Sequence, residues 1–481
     1  MPSTLLARYL KKLLNDMSND GKQFQLEDGR QLIGQRLVRL LPGRREVWQA
    51  ELEGQPVFAK FYLSVKRAKV HWQRELDGIC AFQQHDILTP ELLYSGSEQV
   101  HGWPVIITAQ IPEAVGLNDL WQKGEIDRKL LLRKMVILLA SHHRAGICQT
   151  DLHLGNFILS GDNIFSLDGD GVKRLPAGQE QSVSLDNLAL FIAQLFPEWE
   201  SQIPEVYELY LSERGWPQSP DSDDLLQHVR NARQRRWAEY QNKLFRECTA
   251  FICHKTTQRF EMISRDASGP ELDALLADLD ASFPGQEQAL KNGNTCTVWV
   301  ATAGTLDLVI KRYNVKGLLH GIKLSTRQGR AIVSWENAHR LLFYGIATPK
   351  PIAVAKIKQG ALKPIAYFLT EKVDGVDALC WFQQEPVSMD EKRDMAANIA
   401  TLFAQLEAQR ISHGDLKANN ILIADAKPLL IDLDAMQQHG DEAAFRKSWK
   451  CDLERFMRNW KDLPEIEQLF VAAFKNISLA D

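Results

Sequence analysis

Two stretches of the sequence place an aspartate, an asparagine and a second aspartate at identical intervals. Asn156 follows Asp151 by five residues and precedes Asp168 by twelve. The same intervals recur 264 residues later at Asp415, Asn420 and Asp432. A hairpin of this length brings the asparagine and the later aspartate together, and both offer the hard oxygen atoms that Mg²⁺ prefers. The earlier aspartate is then free to accept a proton from an acceptor hydroxyl during phosphoryl transfer.

A lysine and a glutamate precede each of these sets. Lys60 ends the apolar run VFAK, and a predicted helix carrying Glu75 follows it; Lys311 ends LVIK, and a predicted helix carrying Glu336 follows. A lysine held by a carboxylate is suited to contact phosphate oxygens. Either pair alone is equally consistent with a surface ion pair. The recurrence of the whole ordered set favours a duplicated phosphotransfer site.

The elements around these residues also occur twice in the same order. Apolar and polar residues alternate from about Gly34 to Tyr62, which predicts strands joined by tight turns, and a helical pattern follows. The second half repeats strands, helix and strands before a helix-rich stretch. We predict an α+β protein of two tandem domains, residues 1–245 and 246–481, each with a strand-rich lobe before a helical lobe. Residues 246–265 are either the tail of the first domain or the opening hairpin of the second.

Composition is that of an ordinary globular protein, with 45% hydrophobic residues and a formal net charge of −4. Seven scattered cysteines do not form a disulfide framework in a chain of 481 residues, so a reducing compartment is expected. Cys248, Cys253 and His254 lack a second ligand pair, and no zinc site is predicted. No run of about 18 apolar residues occurs. We find no nucleic-acid-binding module.

The second set resembles a known family. The motif HGDLKANNILI followed by LLIDLD is similar to the bacterial lipopolysaccharide kinase family, whose members have a protein-kinase-like fold and phosphorylate the inner-core sugars Kdo or heptose. The resemblance implies ATP and Mg²⁺ as cofactors and a lipopolysaccharide core sugar as acceptor. It also implies roles for individual residues: Lys311 contacts the ATP phosphates, Glu336 positions Lys311, Asp415 is the catalytic base, Lys417 steadies the transferring phosphoryl group, and Asn420 with Asp432 holds magnesium.

The first half matches these positions with three departures. The matching residues are Lys60, Glu75, Asp151, Asn156 and Asp168, with His153 at the position of Lys417. Gln149 replaces the residue that corresponds to His413, and Gly169 follows the magnesium aspartate where the second half has Leu433. We therefore expect the second half to carry most of the turnover, and the first half to act as a catalytic, nucleotide-binding or scaffolding copy.

The expected acceptor is small, because Asp432 runs quickly into a predicted helix without the long activation segment of eukaryotic-type protein kinases. Basic residues follow the strand lysine in each half, and they could hold an acidic sugar at a membrane surface or form a solvated helical face. They are Lys66, Arg67, Lys69, Arg74, Arg312, Lys316, Lys323, Arg327 and Arg330.

The expected location is the cytoplasm, with peripheral contact at the inner membrane. Leu6, Leu10, Leu13 and Leu14 share one face of a predicted amino-terminal helix, which we expect to pack on its own domain rather than to act as an anchor. Two alternatives to a lipopolysaccharide kinase stay open. One is a kinase of proteins or of another small molecule, and the other is a nucleotide-binding scaffold in which neither copy turns over.

Overall fold

The computed structural model describes residues 22–41, 43–63, 67–124, 126–217, 222–293, 295–313, 329–359 and 363–476. Two compact units divide the chain: residues 1–195 with 199–233, and residues 196–198 with 234–481. The predicted amino-terminal helix, together with Lys66, Lys316, Lys323 and Arg327, lies outside the described residues. Of the helices that are described, none combines the length and the apolar character needed to cross a bilayer.

The first unit begins with an antiparallel sheet. Its strands are β1 (Lys22–Gln25), β2 (Gln31–Leu41), β3 (Arg45–Leu52), β4 (Gln55–Tyr62), β5 (Leu92–Ser97) and β6 (Pro104–Ala109). They lie side by side in the order β1-β2-β3-β4-β6-β5. Alternate side chains of β3 and β4, among them Trp48, Ala50, Val57, Ala59 and Phe61, are buried in the core of this sheet, as the period of two along a strand requires.

Helices and short strands complete the first unit. The helices are α1 (Ala68–Gln84), α2 (Leu117–Lys123), α3 (Arg128–Arg144), α4 (Glu180–Ile192), α5 (Ile203–Arg214) and α6 (Asp223–Lys243). The strands are β7 (Val115–Gly116), β8 (Ile147–Gln149), β9 (Phe157–Ser160), β10 (Asn163–Ser166) and β11 (Val172–Arg174). These strands form two small sheets, β10-β9-β7 and β11-β8. The division between the two units falls within α6, after Arg233.

The second unit also opens with an antiparallel sheet. Its elements are β12 (Phe251–Lys255), β13 (Arg259–Ser264), α7 (Pro270–Ala277), β14 (Lys291–Asn292), β15 (Cys296–Ala303), β16 (Leu306–Tyr313), α8 (Arg330–Phe343), β17 (Pro351–Gln359) and β18 (Lys363–Glu371). The strand order is β12-β13-β17-β18-β16-β15-β14. The sequence left the assignment of residues 246–265 open. Because β13 pairs with β17 along five residues, this stretch is the first hairpin of the second unit.

The remaining elements of the second unit are mainly helical. They are β19 (Val376–Asp377), α9 (Ala378–Gln383), α10 (Met389–Ala408), β20 (Ile411–Ser412), β21 (Ile421–Ala424), β22 (Lys427–Leu430), β23 (Gln437–Gln438), α11 (Glu442–Met457) and α12 (Pro464–Asn476). A capping box starts α10, in which Ser388 and Glu391 exchange side-chain-to-backbone hydrogen bonds. Buried aromatic side chains of α11 and α12, including Phe456 and Phe470, pack edge to face.

The two units repeat the same arrangement of strands. The order β3-β4-β6-β5 in the first unit corresponds to β15-β16-β18-β17 in the second. In the same way, the small sheet β7-β9-β10 corresponds to β19-β21-β22, and the pair β8-β11 corresponds to β20-β23. Additional hairpins lie at opposite edges, because β1-β2 joins β3 whereas β12-β13 joins β17. The prediction of a mixed α and β fold is confirmed.

Candidate active site

The lysine of the first unit lies on β4, between β3 and β6. Its Nζ donates to Oε1 of the buried Glu75 at 2.6 Å, and it lies 3.7 Å from Oδ1 of Asp168. Burial raises the pKa of Glu75 and the neighbouring Asp168 adds to this, while the Lys60 ammonium opposes them. Three of the predicted residues of the first half are therefore in one ionic cluster.

Two glycines let α1 come close enough for this contact. A Cβ on Gly169 would lie 2.4 Å from the carbonyl oxygen of Glu75, and a Cβ on Gly78 would lie 2.1 Å from the carbonyl oxygen of Gly169. Neither position has room for a side chain, so the helix backbone packs directly on the residue after Asp168. This explains why the first half has a glycine where the second has Leu433.

The lysine of the second unit has different partners. Lys311 on β16 donates to Asp432 and lies 3.4 Å from Oδ2 of Asp434. Burial alone would lower the pKa of Lys311, but Tyr313, Asp434 and Asp432 raise it, so the ammonium is kept charged.

Glu336 is bound elsewhere in the same unit. Its Oε1 accepts from Nη2 of Arg340 at 2.6 Å and from Nε2 of Gln241, near the end of α6, at 2.8 Å. The expected pairing of Glu336 with Lys311 is thus not formed among the described contacts. Arg340 competes for the carboxylate because it stands one helical turn away on α8, the ideal spacing for an ion pair.

Each asparagine is fixed at the start of a hairpin. Asn156 Nδ2 donates to the Asp151 carbonyl at 2.7 Å, and Asn420 Nδ2 donates to the Asp415 carbonyl at 2.8 Å. The hairpins β9-β10 and β21-β22 follow, and the end of each hairpin lies next to its asparagine. The Asn156 carbonyl accepts from the N–H of Leu167, and the Asn420 carbonyl accepts from the N–H of Ile431. The next residue is Asp168 in the first unit and Asp432 in the second. The predicted approach of asparagine and aspartate is therefore explained by the hairpin itself.

The two later aspartates have an unusual backbone. Asp168 has φ of 60° and Asp432 has φ of 61°, in the left-handed region that non-glycine residues seldom occupy. Such strain persists only where surrounding structure enforces it, and it is concentrated at functional sites. The shared conformation marks these two positions as equivalent, which spacing alone could not establish.

The chemistry of these aspartates fits a hard metal ion. Oδ1 of Asp168 is buried and lacks a hydrogen-bond partner among the described residues, although the Lys60 ammonium lies 3.7 Å from it, so it can still accept a ligand. For Asp432, burial is outweighed by Lys311 and Lys291, which lower its pKa and keep it ionised. Groups of three or more His, Cys, Asp or Glu side chains suited to a metal do not occur in the part of the chain that the structure describes. With one aspartate and one asparagine per unit, phosphate and water oxygens would complete the coordination of Mg²⁺.

The earlier aspartates differ between the units. The Asp415 side chain is 42% exposed, and Lys417 Nζ lies 3.0 Å from its Oδ2. In the first unit the Asp151 side chain is 73% exposed, and Nε2 of His153 lies 3.8 Å away. Asn420 also approaches Oδ2 of Asp415, at 3.3 Å. The second unit therefore holds its candidate base in a tighter and more cationic setting.

A buried carboxylate that the sequence analysis missed anchors this loop. Asp452 on α11 accepts from the backbone N–H of His413 at 2.6 Å, of Gly414 at 3.0 Å and of Leu416 at 3.4 Å. Arg455 donates to the Gly414 carbonyl, and its Nε lies 3.9 Å from Asp415. The signal was available, because Asp452 interrupts the apolar face formed by Phe445, Trp449 and Phe456.

The first unit anchors its loop with neutral groups. Asn187 donates to the Gln149 carbonyl at 2.7 Å, and its own oxygen lies 3.0 Å from Nε2 of His143. Burial lowers the pKa of His143 to about 4, so this histidine is neutral near pH 7. Asn187 thus binds one backbone carbonyl of its loop, whereas Asp452 accepts from three backbone N–H groups in the second unit.

Gln149 is a functional replacement for the histidine of the second unit. His413 Nε2 lies 3.0 Å from the carbonyl oxygen of Ile431, and Gln149 Nε2 donates at 2.7 Å to the carbonyl oxygen of Leu167. These carbonyls occupy equivalent positions, one residue before the left-handed aspartate. Burial lowers the pKa of His413, so it remains neutral and makes the same bridge as an amide.

A second missed pair of carboxylates lies two residues after each left-handed aspartate. Asp434 pairs with Arg330 as well as with Lys311. Oδ2 of Asp170 lies 2.8 Å from Nδ1 of His71 and 3.7 Å from Nη2 of Arg45. Both aspartates lie beside basic side chains of their own unit, and the repeated Asp-X-Asp sequence was the available signal.

Comparison with known proteins gives a family for the second unit. Residues 285–475, about two fifths of the chain, match the model of the lipopolysaccharide kinase (Kdo/WaaP) family. A solved structure of WaaP in complex with acyl carrier protein is 15% identical and has a TM-score of 0.31, with 40% of this chain and 79% of that chain covered. WbdD is 15% identical with a TM-score of 0.30, covering 41% of this chain and 50% of its own. Comparison with curated proteins returns no match.

The matched region contains the residues on which the resemblance was based. Lys311, Glu336, Asp415, Asn420 and Asp432 all fall within it, as do Lys417 and the loop anchor Asp452. The resemblance inferred from HGDLKANNILI and LLIDLD is confirmed by the family model. Residues 285–475 are therefore similar to the lipopolysaccharide kinase (Kdo/WaaP) family, and this similarity supports a phosphotransferase that acts on lipopolysaccharide sugars.

Proposed function

We propose that this protein transfers the γ-phosphoryl group of ATP, with Mg²⁺, to a hydroxyl of heptose or Kdo in the inner core of lipopolysaccharide. Two tandem kinase-like domains, residues 1–245 and 246–481, make up the enzyme. The observation that carries the proposal is the cluster of Asp415, Lys417 and Asn420 on a loop anchored by the buried Asp452. The same strand order in both units supports the tandem arrangement.

In the second domain each residue has one task. Asp415 accepts the proton of the acceptor hydroxyl, and Lys417, 3.0 Å from it, neutralises charge on the transferring group. Asn420 and Asp432 would hold Mg²⁺, which would neutralise charge on the phosphates. Lys311 contacts the ATP phosphates. Because Lys311 is paired with Asp432 and Asp434 in this structure, its ammonium exchanges carboxylate partners for phosphate oxygens when nucleotide binds.

The first domain binds the same nucleotide with Lys60, Glu75, Asn156 and Asp168. Its lysine–glutamate pair is already formed, which suits phosphate binding. Its candidate base Asp151 is largely exposed and has His153 where the second domain has a lysine. This imidazole lies farther from the candidate base than Lys417 does from Asp415, 3.8 Å against 3.0 Å, so this domain stabilises phosphoryl charge less well. We infer that it supports the second domain more than it turns over.

An acceptor carried by lipopolysaccharide implies work at a membrane surface, so the protein acts in the cytoplasm with peripheral contact at the inner membrane. Mass spectrometry of the core oligosaccharide identifies the acceptor. A deletion strain should lose phosphate from one heptose or Kdo, and the parent gene should restore it whereas a gene encoding Asp415→Asn should not. An unchanged core phosphate pattern in the deletion strain would refute the proposal.

A further inference from the structure

A cavity of about 390 Å³ lies in the second unit and shares no lining residue with either candidate active site. It is formed by the turn between β12 and β13, by β17 and by the start of α8. Three ammonium groups surround it, from Lys255, Lys356 and Lys358. Its apolar part comes from Phe245, Phe260 and Ile332, which pack on the main core of the unit. The volume is within the range of small-molecule sites.

Strand register places the lysines on one face. Phe260 of β13 is the direct partner of Lys255 on one side and of Lys356 on the other. Directly opposed residues share a face of the sheet, so the two lysines flank the phenylalanine at roughly 10 Å, two strand spacings. Lys358, two residues further along β17, is on the same face because side chains alternate.

Among the described residues, no carboxylate forms an ion pair with these lysines and no acceptor forms a hydrogen bond with their ammonium groups. The cavity has no aspartate or glutamate in its described lining. Arg259, which also lines it, is already paired with Glu261 at 2.6 Å. Three uncompensated ammonium groups repel one another, and a bound anion relieves this repulsion. Gly329, the residue before α8, also reaches the cavity, so the amide end of that helix adds partial positive charge.

The combination of a cationic rim and an apolar floor selects an amphiphilic anion. A free phosphate would use the lysines but not the aromatic and aliphatic floor. We propose that this cavity binds the head group of an anionic phospholipid, with the phosphate between Lys255, Lys356 and Lys358 and the glycerol and first methylene groups over Phe245, Phe260 and Ile332. This deepens the membrane contact in the proposed function, since it names the residues that would make that contact.

Co-sedimentation of the full chain with vesicles tests the proposal without ATP or sugar acceptor, so the result is independent of phosphotransfer. The probes are vesicles of phosphatidylcholine alone and vesicles with about 30% phosphatidylglycerol. The test variant is K255Q/K356Q/K358Q. The charge-matched control is K447Q/K450Q/K461Q, whose lysines are exposed on the helical part of the same unit and have no ion pair among the described residues.

The parent should bind only the anionic vesicles. The test variant should lose at least about tenfold in partition coefficient, and the control less than about twofold. Glycerol 3-phosphate should compete weakly, because it lacks the apolar portion. Equal losses in the two variants would show diffuse charge attraction and overturn the proposal, as would absence of anionic-vesicle binding by the parent. Complete displacement by millimolar glycerol 3-phosphate would overturn it in favour of a soluble phosphate ligand.

Discussion

Single residues distinguish the two candidate sites more clearly than the motifs that they share. Asp415 has a lysine beside it and an arginine close by, and its loop is held by Asp452. Among the described ion pairs, the corresponding Asp151 has an imidazole as its partner, at 3.8 Å. Since stabilisation of developing charge is a large contribution to catalysis, we expect the second site to be better suited to phosphoryl transfer.

We predict that Asp452→Asn lowers kcat by at least about tenfold with little change in the KM for ATP. Asp452 orients the loop that carries Asp415 and does not contact the nucleotide in the proposed arrangement. An amide cannot accept from three backbone N–H groups with a carboxylate's strength. Steady-state kinetics with a soluble core oligosaccharide measures both constants.

The exposed Asp462→Asn serves as the control and should behave like the parent. Thermal unfolding of the Asp452→Asn protein checks that it is folded at the assay temperature. A folded Asp452→Asn protein with the parent's kcat would show that the three hydrogen bonds do not support turnover.

Among the elements, the helix that follows the strand lysine differs most between the units. In the first unit α1 packs backbone to backbone on Gly169 and delivers Glu75 to Lys60. In the second unit Asn337 of α8 donates to the carbonyls of Leu433 and Met436, and Glu336 stays with Arg340. In the unit with Gly169 after the left-handed aspartate, the helix glutamate pairs with the strand lysine. In the unit with Leu433 at that position, the glutamate pairs with an arginine of its own helix.

We predict that Gly169→Ala destabilises the first unit by about 1–3 kcal/mol, since the new methyl group would overlap the Glu75 carbonyl. Gly116→Ala is the matched control, because its Cβ would come no closer than 3.6 Å to Asp119. Chemical unfolding monitored by tryptophan fluorescence compares the two. Equal stability of these variants would mean that α1 is not packed on Gly169.

Sequence patterns predicted the local features and missed those set by distant contacts. The alternation in β3 and β4 and the helix around Glu75 follow from nearby residues and were found. The pairing of β13 with β17 joins residues about 90 positions apart, so the hairpin of residues 251–264 could not be assigned from its own sequence. The same limit applies to Glu336, since nothing local shows that Arg340 and Gln241 hold it. Asp452 was overlooked although its place in an apolar helix face made it detectable.

The whole molecule carries neutral buried histidines whose titration opposes folding in acid. Burial lowers the pKa of His142 to about 3 and that of His143 to about 4, below the usual 6.5. The unfolded chain therefore binds more protons below pH 6.5, so this contribution to stability is complete above pH 6.5 and is lost as pH falls toward 4.

We expect the free energy of unfolding of the first unit to fall by about 2 kcal/mol between pH 6.5 and 5.5, a range in which ordinary carboxylates stay ionised. Urea unfolding at several pH values measures the slope. A variant with His142→Gln and His143→Gln should show a shallower slope, whatever its stability at pH 7. An unchanged slope in the double variant would contradict the assignment.

We propose that this protein phosphorylates a lipopolysaccharide sugar through Asp415. The most direct measurement is transfer of label from γ-labelled ATP to purified core acceptor by the parent, Asp415→Asn and Asp151→Asn proteins, each shown to be folded by thermal unfolding. We predict that Asp415→Asn loses about a hundredfold or more of the transfer rate and that Asp151→Asn loses much less. If Asp151→Asn abolishes transfer while Asp415→Asn stays near the parent rate, the first unit is the enzyme and the claim is wrong.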